Sequence, residues 1–328
     1  MFHLSTNLLI LYLLFIQACT TEQTSNESEI DYQKEMRTFV QEISTYAREQ
    51  NPDFIVIPQN GHRLVSDNGL WNGNPDTSYL NSIDGLGQES LYYGNKGDDL
   101  NTSKEMIDYL EFYLDIGKQF GKTVLTTDYT FTPSKMDSSF IRNLQKGYVS
   151  FAADRRALDN IPLYPENISN ENSTSVKKLS DAKNFLYLIN PGAYSSKEEF
   201  IADISGTNYD AVIIDAFYLG TLLTKTDIDQ LKTKANGGSR LVISYMSIGE
   251  AETYRYYWDE TWTPGNPEWI VEENPNWPEN YKVEYWNKEW KKVIYGTESS
   301  YLQKILDSGF DGVYLDIIDG FEYFMGLH

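Results

Sequence analysis

Hydrophobic positions follow two different spacings from Tyr32 onward. Residues 36–50 carry apolar side chains every three or four positions, which predicts an amphipathic helix. Residues 54–57 then form the continuous apolar run Phe-Ile-Val-Ile, which is typical of a buried parallel strand. This run ends in the polar sequence Pro-Gln-Asn-Gly at 58–61. The first unit is therefore a helix followed by a strand with a polar end.

The same unit recurs along the chain. Further strands are predicted over residues 82–89, 123–127, 148–152, 185–189, 211–214, 241–247 and 312–315. Helices are predicted over residues 105–120, 140–146, 198–204, 226–235 and 301–308. Eight β-runs alternating with helices predict a parallel sheet closed into an α/β (β/α)₈ TIM barrel. An open doubly wound sheet is the alternative. We disfavour it because no GxGxxG or GxxxxGK[ST] loop follows any strand.

Two stretches fall outside this repeat. Residues 160–183 are mostly polar and predict a linker between half-barrels 32–159 and 184–328, which together form one domain. Residues 254–290 are rich in Trp, and we expect them to form a substrate-facing loop rather than a second domain.

The N-terminus has the pattern of an export signal. Residues 8–16 form an apolar run too short to span a membrane, and Ala18 directly precedes Cys19. We predict a signal peptide over 1–18, lipidation of Cys19 as in a bacterial lipoprotein, and a flexible tether over 19–31. A simple cleaved signal is the alternative. The expected location is the outer membrane or cell envelope, with membrane contact only through the lipid.

Charge and composition narrow the partners. The chain has 27 basic and 48 acidic residues, a formal charge of −21, which argues against nucleic acid. Aromatic residues make up 14% of the chain, more than a core needs, and exposed aromatic faces can stack on sugar rings. Cys19 is the only cysteine, so an internal disulfide is excluded. We expect a monomer that binds a polysaccharide.

Polar side chains stand where the predicted strands end. In a barrel, the carboxyl ends of the strands carry the active site. Helix capping explains single Asp or Asn residues there, but it does not call for Glu or Gln. The residues at these ends are Gln59, Asn60, Glu89, Asp128, Asp154, Asn190, Asp215, Glu250, Asp316 and Asp319.

A ring of carboxylates suits either a divalent metal or glycoside hydrolysis. The three histidines, His3, His62 and His328, form no ligand pair, and we expect His62 to be incidental. No GxSxG elbow supports a serine nucleophile. Two carboxylates acting on a sugar, without metal or cofactor, is the reading that remains.

Several strings resemble glycoside hydrolase family 114, whose members include endo-α-1,4-polygalactosaminidases. They are Ser-Ile-Gly-Glu-Ala-Glu-Thr-Tyr-Arg-Tyr-Tyr-Trp at 247–258, Asn-Pro-Asn-Trp at 274–277, Val-Glu-Tyr-Trp at 283–286 and Gly-Phe-Asp-Gly-Val-Tyr-Leu-Asp-Ile-Ile-Asp at 309–319, with 58–61 and 84–89. In the family the first and fourth of these strings precede the 58–61 string. The resemblance therefore implies a circularly permuted barrel, with truncation of a longer chain as the alternative. A closed barrel tolerates permutation, because the cut falls in a loop.

The resemblance also implies roles for residues. It maps the family's catalytic pair onto Asp316, as nucleophile, and Glu89, as acid/base, whose pKa would have to be raised by burial and by Asp316. Asp215, Glu250, Asp128 and Asp319 would hold substrate hydroxyl or amino groups. Further substrate contacts are Gln59, Asn60, Tyr245, Arg255 and Tyr129, with Arg255 alternatively an ion-pair partner of a carboxylate.

These residues favour a secreted, endo-acting hydrolase of an α-linked amino-sugar polymer such as galactosaminoglycan. The alternatives are a non-catalytic polysaccharide-binding lipoprotein and a hydrolase of another α-glycan.

Overall fold

The computed structural model describes residues 30–327. The predicted signal peptide and Cys19 lie outside these residues. Asp31, the last residue of the predicted tether, caps the first helix, because its side chain accepts a hydrogen bond from Lys34 N at 3.0 Å. Residues from Asp31 onward form one compact unit. Across residues 30–327, no helix is both long and apolar enough to cross a bilayer.

The helices of the described part are short apart from three. They are α1 Tyr32–Gln50, α2 Thr77–Ser82, α3 Lys104–Gln119, α4 Pro133–Lys146, α5 Lys197–Ser205, α6 Lys225–Leu231, α7 Lys288–Ile294, α8 Tyr301–Asp307 and α9 Gly320–Phe324. The strands are β1 Ile55–Pro58, β2 Gly85–Glu89, β3 Tyr93–Gly94, β4 Gly97–Asn101, β5 Thr123–Tyr129, β6 Val149–Ala153, β7 Phe185–Leu188, β8 Ala211–Asp215, β9 Phe217–Tyr218, β10 Thr221–Leu222, β11 Leu241–Ser247, β12 Glu250–Glu252, β13 Ile270–Glu273, β14 Asn280–Val283 and β15 Gly312–Asp316.

Eight of these strands run parallel, in two sheets. The larger sheet has the order β1-β15-β11-β8-β7, and the smaller has the order β2-β5-β6. All neighbours within both sheets are parallel. The eight strands are those predicted from the apolar runs. The fold is therefore a mixed α/β arrangement built on parallel strands, as expected.

The two sheets adjoin at both of their edges. At one edge Gln59 and Gly87 form a parallel bridge, and Asn60 N donates to Gly87 O at 2.9 Å. Asp84 N donates to Val56 O at 2.9 Å at the same junction. At the other edge β6 lies against β7, and the rings of Phe151 and Phe185 are 5.8 Å apart.

The core lies among these strands and beneath the helices. Every residue of β11 is buried, including Ser244 and Ser247, which interrupt its apolar pattern. On α1 the fully buried side chains recur at helical spacing, so one face of the helix covers the strands; they are Met36, Phe39, Val40, Ile43 and Ala47.

The linker and the Trp-rich stretch take defined positions. Lys234 and Asp210, both without exposed side-chain surface, form an ion pair of 2.8 Å. Lys234 Nζ also donates to Asn172 O at 3.0 Å and to Thr174 O at 2.7 Å, which fastens the predicted linker. The stretch 254–290 contributes β13, β14 and part of α7, and β12-β14-β13 form a small antiparallel sheet directly after β11.

Candidate functional site

Glu89 and Asp316, the predicted catalytic pair, meet at the carboxyl ends of β2 and β15. Gln59, just after β1, donates through Nε2 to Asp316 Oδ1 at 2.8 Å and to Glu89 Oε2 at 3.2 Å. One nitrogen therefore contacts both carboxylates, and the two acceptor oxygens cannot be farther apart than these two bonds together. Gln59 is buried, whereas Glu89 and Asp316 are partly exposed.

Two residues with left-handed backbone conformation orient the side chains of Glu89 and Asp316. Asn60 has a φ of 61°, and its side chain accepts from Glu89 N at 3.0 Å and donates to Glu89 Oε2 at 2.8 Å. Ile317 has a φ of 59°, which is rare for a β-branched residue, and its amide donates to Asp316 Oδ1 at 2.8 Å. Left-handed residues of this kind concentrate at functional sites, where surrounding structure compensates the strain.

Two glycines permit close approach around the pair. A Cβ on Gly249 would lie 2.3 Å from the carbonyl oxygen of Ile317, so only glycine fits against that strained residue. A Cβ on Gly87 would lie 2.1 Å from the hydroxyl of Tyr314. Tyr314 and Tyr187 are buried with ring centroids 5.2 Å apart, and burial together with the charges of Glu89 and Asp316 raises the pKa of both phenols well above the usual range.

Two tyrosines complete the polar contacts of the pair. The Tyr129 hydroxyl, at the end of β5, donates to Glu89 Oε1, and the Tyr245 hydroxyl, in β11, donates to Asp316 Oδ2 at 2.9 Å. Burial, followed by the charges of Glu89 and Asp316 respectively, raises the pKa of both phenols well above their usual range. Both phenols therefore stay protonated and act as donors.

Burial and electrostatic repulsion between the two carboxyl groups both raise the pKa of Asp316. Burial and the neighbouring Glu89 carboxylate raise the pKa of Asp316 to about 6, against the opposing effect of the donors Ile317, Tyr245 and Gln59. Two carboxyl groups this close repel each other when both are ionised, and this repulsion favours a proton on Asp316.

Two further carboxyl groups face Asp316. Burial and Asp316 raise the pKa of Asp319 to about 8. Burial also raises the pKa of Glu250 to about 7, and Asp316 adds to this, although Asn274 Nδ2 donates to Glu250 Oε1 at 2.8 Å. The structure thus places these two predicted substrate contacts beside the predicted catalytic pair. Within residues 30–327, no group of three or more His, Cys, Asp or Glu side chains has the arrangement of a metal site.

Asp215 and Arg255, both predicted substrate contacts, pair with each other. Arg255 Nη1 lies 2.7 Å from Asp215 Oδ2, and Arg255 Nε lies 2.5 Å from Glu252 Oε2. This arrangement is the ion-pair alternative given for Arg255. Glu252 was not singled out from the sequence, although it stands in the same string as Glu250.

The prediction that Asp128 contacts substrate is corrected by its burial. Asp128 has no exposed surface, and it accepts from the amides of Tyr92 and Tyr93 at 2.7 and 3.1 Å and from Ser139 Oγ at 2.6 Å. It therefore joins the loop after β2 to α4. Successive side chains of a strand point in opposite directions, so Tyr129 faces the carboxylate pair while Asp128 faces away.

Other sequence candidates do not contact the predicted catalytic pair. Asp154 accepts from Asn160 Nδ2 at 3.1 Å, and Asn190 Nδ2 donates to Ala157 O at 2.6 Å. His62 packs against the rings of Tyr109 and Tyr113, and burial lowers its pKa to about 4, so it is neutral.

Comparison with known proteins identifies the family. Residues 166–328 match the model of Glycoside-hydrolase family GH114. An uncharacterized protein of Methanocaldococcus jannaschii is 39% identical over 180 residues, which cover 54% of this chain and 49% of that protein. An uncharacterized protein of Thermotoga maritima is 40% identical over 121 residues, 37% of this chain and 36% of that protein. The alignments thus span about half of these relatives or less.

The matched segment contains one member of the predicted catalytic pair. Asp316 lies within it, together with Asp215, Tyr245, Glu250, Arg255 and Asp319, whereas Glu89 and its contacts Gln59, Asn60 and Tyr129 lie before it. The site described above joins the two portions of the chain. On the family match and the strings that carry it, this chain is a glycoside hydrolase family 114-like protein.

Proposed function

We propose that this protein hydrolyses an α-linked amino-sugar polysaccharide, such as galactosaminoglycan, as an endo-acting glycosidase with Asp316 and Glu89 as its two carboxylates. The observation that carries the proposal is the single nitrogen, Gln59 Nε2, that donates to both carboxyl groups. Retaining glycosidases hold their carboxyl groups about 5–5.5 Å apart, and inverting ones about 6.5–9.5 Å apart. A donor shared by both carboxyl groups favours the shorter separation, which is that of retaining glycosidases.

In the first step Asp316 attacks the anomeric carbon. A bond forms from its oxygen to that carbon while the bond to the leaving sugar oxygen breaks, and Glu89 gives its proton to that oxygen. In the second step water attacks the same carbon, Glu89 takes the water proton, and Asp316 is released. Tyr245, Ile317 N and Gln59 favour ionised Asp316, as the attacking group requires. Tyr129 and Asn60 donate hydrogen bonds to Glu89 and so hold its carboxyl group in place for both steps.

The proposal includes a closed (β/α)₈ barrel that is circularly permuted. The contacts of β1 with β2 and of β6 with β7 support closure. The family match begins at residue 166, inside the predicted linker, and this supports strands β7, β8, β11 and β15 being the usual first four. We propose also that the protein is exported, anchored through Cys19 and monomeric.

The carboxyl groups around the pair favour a cationic sugar. Glu250 and Asp319 face Asp316, and the chain carries a formal charge of −21. Because their pKa values are raised to about 7 and about 8, a protonated amino group gains Coulomb energy here as these carboxyl groups ionise, so the gain grows with pH and weakens with salt. Trp277 is 55% exposed and follows Asn274, the hydrogen-bond donor to Glu250. An exposed indole ring of this kind can stack on a sugar, and this supports a polysaccharide substrate.

The test is cleavage of α-1,4-linked polygalactosamine by Glu89→Gln and Asp316→Asn, each compared with the wild-type protein. Both variants should lose about 10³-fold or more in kcat while keeping the wild-type circular dichroism spectrum. Matched controls are Glu289→Gln and Asp229→Asn, which change exposed carboxylates paired with Lys292 and Lys225. Normal turnover by both site variants would end the proposal.

Polysaccharide binding without cleavage is the second candidate, and the exposed Trp277 is compatible with it. Wild-type protein that binds the polymer but releases no reducing ends would favour this candidate. Cleavage of a different α-glycan in preference to polygalactosamine would keep the mechanism and change the substrate.

A further inference from the structure

Three side chains from different elements form a line of contacts that ends at Glu89. The guanidinium carbon of Arg156, after β6, lies 3.9 Å from the centroid of the Tyr129 ring. The Tyr129 hydroxyl donates to Glu89 Oε1. Arg156 itself does not contact either carboxylate of the pair through any hydrogen bond or ion pair found in residues 30–327. Its effect on Glu89 must therefore pass through Tyr129 or through space.

The β3–β4 hairpin holds Arg156 in this position. Arg156 Nε lies 2.7 Å from Asp98 Oδ1 in β4, and Arg156 Nη2 donates to Gly94 O at the end of β3 at 2.8 Å. Gly94 has a φ of 112°, and a Cβ there would lie 3.0 Å from Tyr129 Cβ. The hairpin thus packs directly against Tyr129, and both of its strands contribute a group that fixes the guanidinium.

A cation over the face of a phenol changes the phenol as a donor. Arg156 opposes the effects of burial and of Glu89, which together raise the pKa of Tyr129 well above its usual range. An arginine over an aromatic ring interacts with it by about 0.5–2 kcal/mol, more when the contact is desolvated. A more acidic hydroxyl donates a stronger hydrogen bond to a carboxylate.

We propose that Arg156 is a positioning residue that acts through Tyr129 to favour the ionised form of Glu89, and that the β3–β4 hairpin exists in part to hold it. The effect of Arg156 on catalysis rests on the proposed hydrolase function. The effect of Arg156 on the protonation of Glu89 does not depend on that function. The sequence predicted neither the hairpin nor a role for Arg156. That role depends on the packing of the hairpin and of Arg156 against Tyr129.

Other charged or titratable groups also face Glu89, and none of them is substituted in the Arg156 and Arg155 variants compared below. Asp316 and Asp319 lie at the end of β15, Tyr314 lies within β15, and Tyr187 lies within β7. The two amides that contact Glu89 are Gln59 and Asn60. Among the described residues, Arg156 is the cation that acts on Tyr129.

The experiment compares the full-length wild-type protein with Arg156→Gln, Arg156→Lys and Arg155→Gln. Arg155→Gln is a matched control because it removes an equal charge one residue away. The Arg155 side chain is 58% exposed and lies 3.5 Å from Asp159. Two quantities are measured: the pH profile of kcat/KM on polygalactosamine, and the NMR titration of Glu89 in protein carrying ¹³C-carboxyl glutamate, assigned by its loss in Glu89→Gln.

Arg156→Gln should move both the basic limb of the profile and the Glu89 titration to higher pH by about half a unit or more. Arg156→Lys should restore part of the shift, and Arg155→Gln should cause a clearly smaller one. In a Tyr129→Phe background the NMR shift caused by Arg156→Gln should shrink, because its route is removed. Arg156→Met, which keeps the aliphatic stem on the ring, replaces Arg156→Gln if the latter does not fold.

An unchanged titration in Arg156→Gln, a shift equal to that of Arg155→Gln, or a full shift surviving in Tyr129→Phe would overturn the proposal. The NMR titration needs no turnover. A wild-type protein that cleaves nothing, with the Arg156 shift intact, would therefore remove the hydrolase function and leave this inference standing. Cleavage without the shift would do the reverse.

Discussion

Glu89 and Asp316 accept hydrogen bonds from the same nitrogen, Gln59 Nε2, at 3.2 and 2.8 Å. They lie in opposite halves of the chain, so the contact exists only because β1 stands between β2 and β15. Each carboxylate also has a tyrosine donor, Tyr129 for Glu89 and Tyr245 for Asp316. The site is a symmetric arrangement of donors around two acids that repel each other.

Loss of the shared donor should damage catalysis more than folding. Gln59→Leu removes the hydrogen bonds to both carboxyl groups of the pair, and a hydrogen bond to a charged group is worth about 1.5–3 kcal/mol. We expect kcat/KM on polygalactosamine to fall by about 10- to 100-fold, with Gln119→Leu on the exposed end of α3 as the control. An unchanged kcat/KM in Gln59→Leu would show that the bridge has no catalytic role.

Tyr245→Phe should shift the acid limb of the activity profile. Burial and Glu89 raise the pKa of Asp316 to about 6, and the Tyr245 hydroxyl opposes that shift. The attacking carboxylate must be ionised, so activity should rise with pH through about 6 in the wild-type protein. Without the hydroxyl, this limb should move to higher pH.

The matched control for that variant is Tyr46→Phe, whose hydroxyl donates to Gln303 at 2.7 Å and lies on a helix away from the site. Identical pH profiles for Tyr245→Phe and the wild-type protein would contradict the assignment of Asp316 to this limb.

Asp319→Asn should stabilise the protein at alkaline pH. Burial and Asp316 raise the pKa of Asp319 from 3.8 to about 8. The folded protein therefore binds this proton more tightly than the unfolded chain, and this contribution to stability is lost as the pH rises from about 4 to about 8. We expect Asp319→Asn to raise Tm by about 2 °C or more at about pH 9, and far less at about pH 4. Asp307→Asn, at the exposed end of α8, should show no such difference.

Arg255→Leu should destabilise the fold rather than alter a single catalytic step. The change leaves the carboxylates of Asp215 and Glu252 without the cation that now lies within 2.7 and 2.5 Å of them. Removal of one partner of a buried ion pair costs about 3–5 kcal/mol. Urea unfolding of Arg255→Leu should show a loss of this size, reduced when Glu252→Gln is added. A loss below about 1 kcal/mol would mean that water reaches and solvates both acids.

The strands could be predicted from the sequence because a buried parallel strand shows a nearly continuous apolar run. The prediction for residues 241–247 has the same bounds as β11. The prediction for residues 82–89 began too early, because Ser82 ends α2 and the strand begins at Gly85. That segment is poor in branched apolar residues, so its pattern could not separate helix from strand.

The site was predictable by residue type and position but not by side-chain direction. Asp128 and Tyr129 are adjacent at the end of β5, and only Tyr129 reaches the pair, because side chains alternate along a strand. Glu252 and Arg156 act through contacts made by the β12 sheet and the β3–β4 hairpin. No local pattern marks such contacts, since they depend on how separate loops pack together.

Azide rescue tests most directly whether Asp316 and Glu89 act as nucleophile and acid/base on one sugar. Asp316→Ala and Glu89→Ala are each incubated with azide and an α-linked amino-sugar substrate carrying an aryl leaving group. In Asp316→Ala azide replaces the missing nucleophile and should give the β-glycosyl azide. In Glu89→Ala azide attacks the covalent intermediate on Asp316 and should give the α-glycosyl azide. The same anomer from both variants, or wild-type hydrolysis by either without azide, would contradict the account.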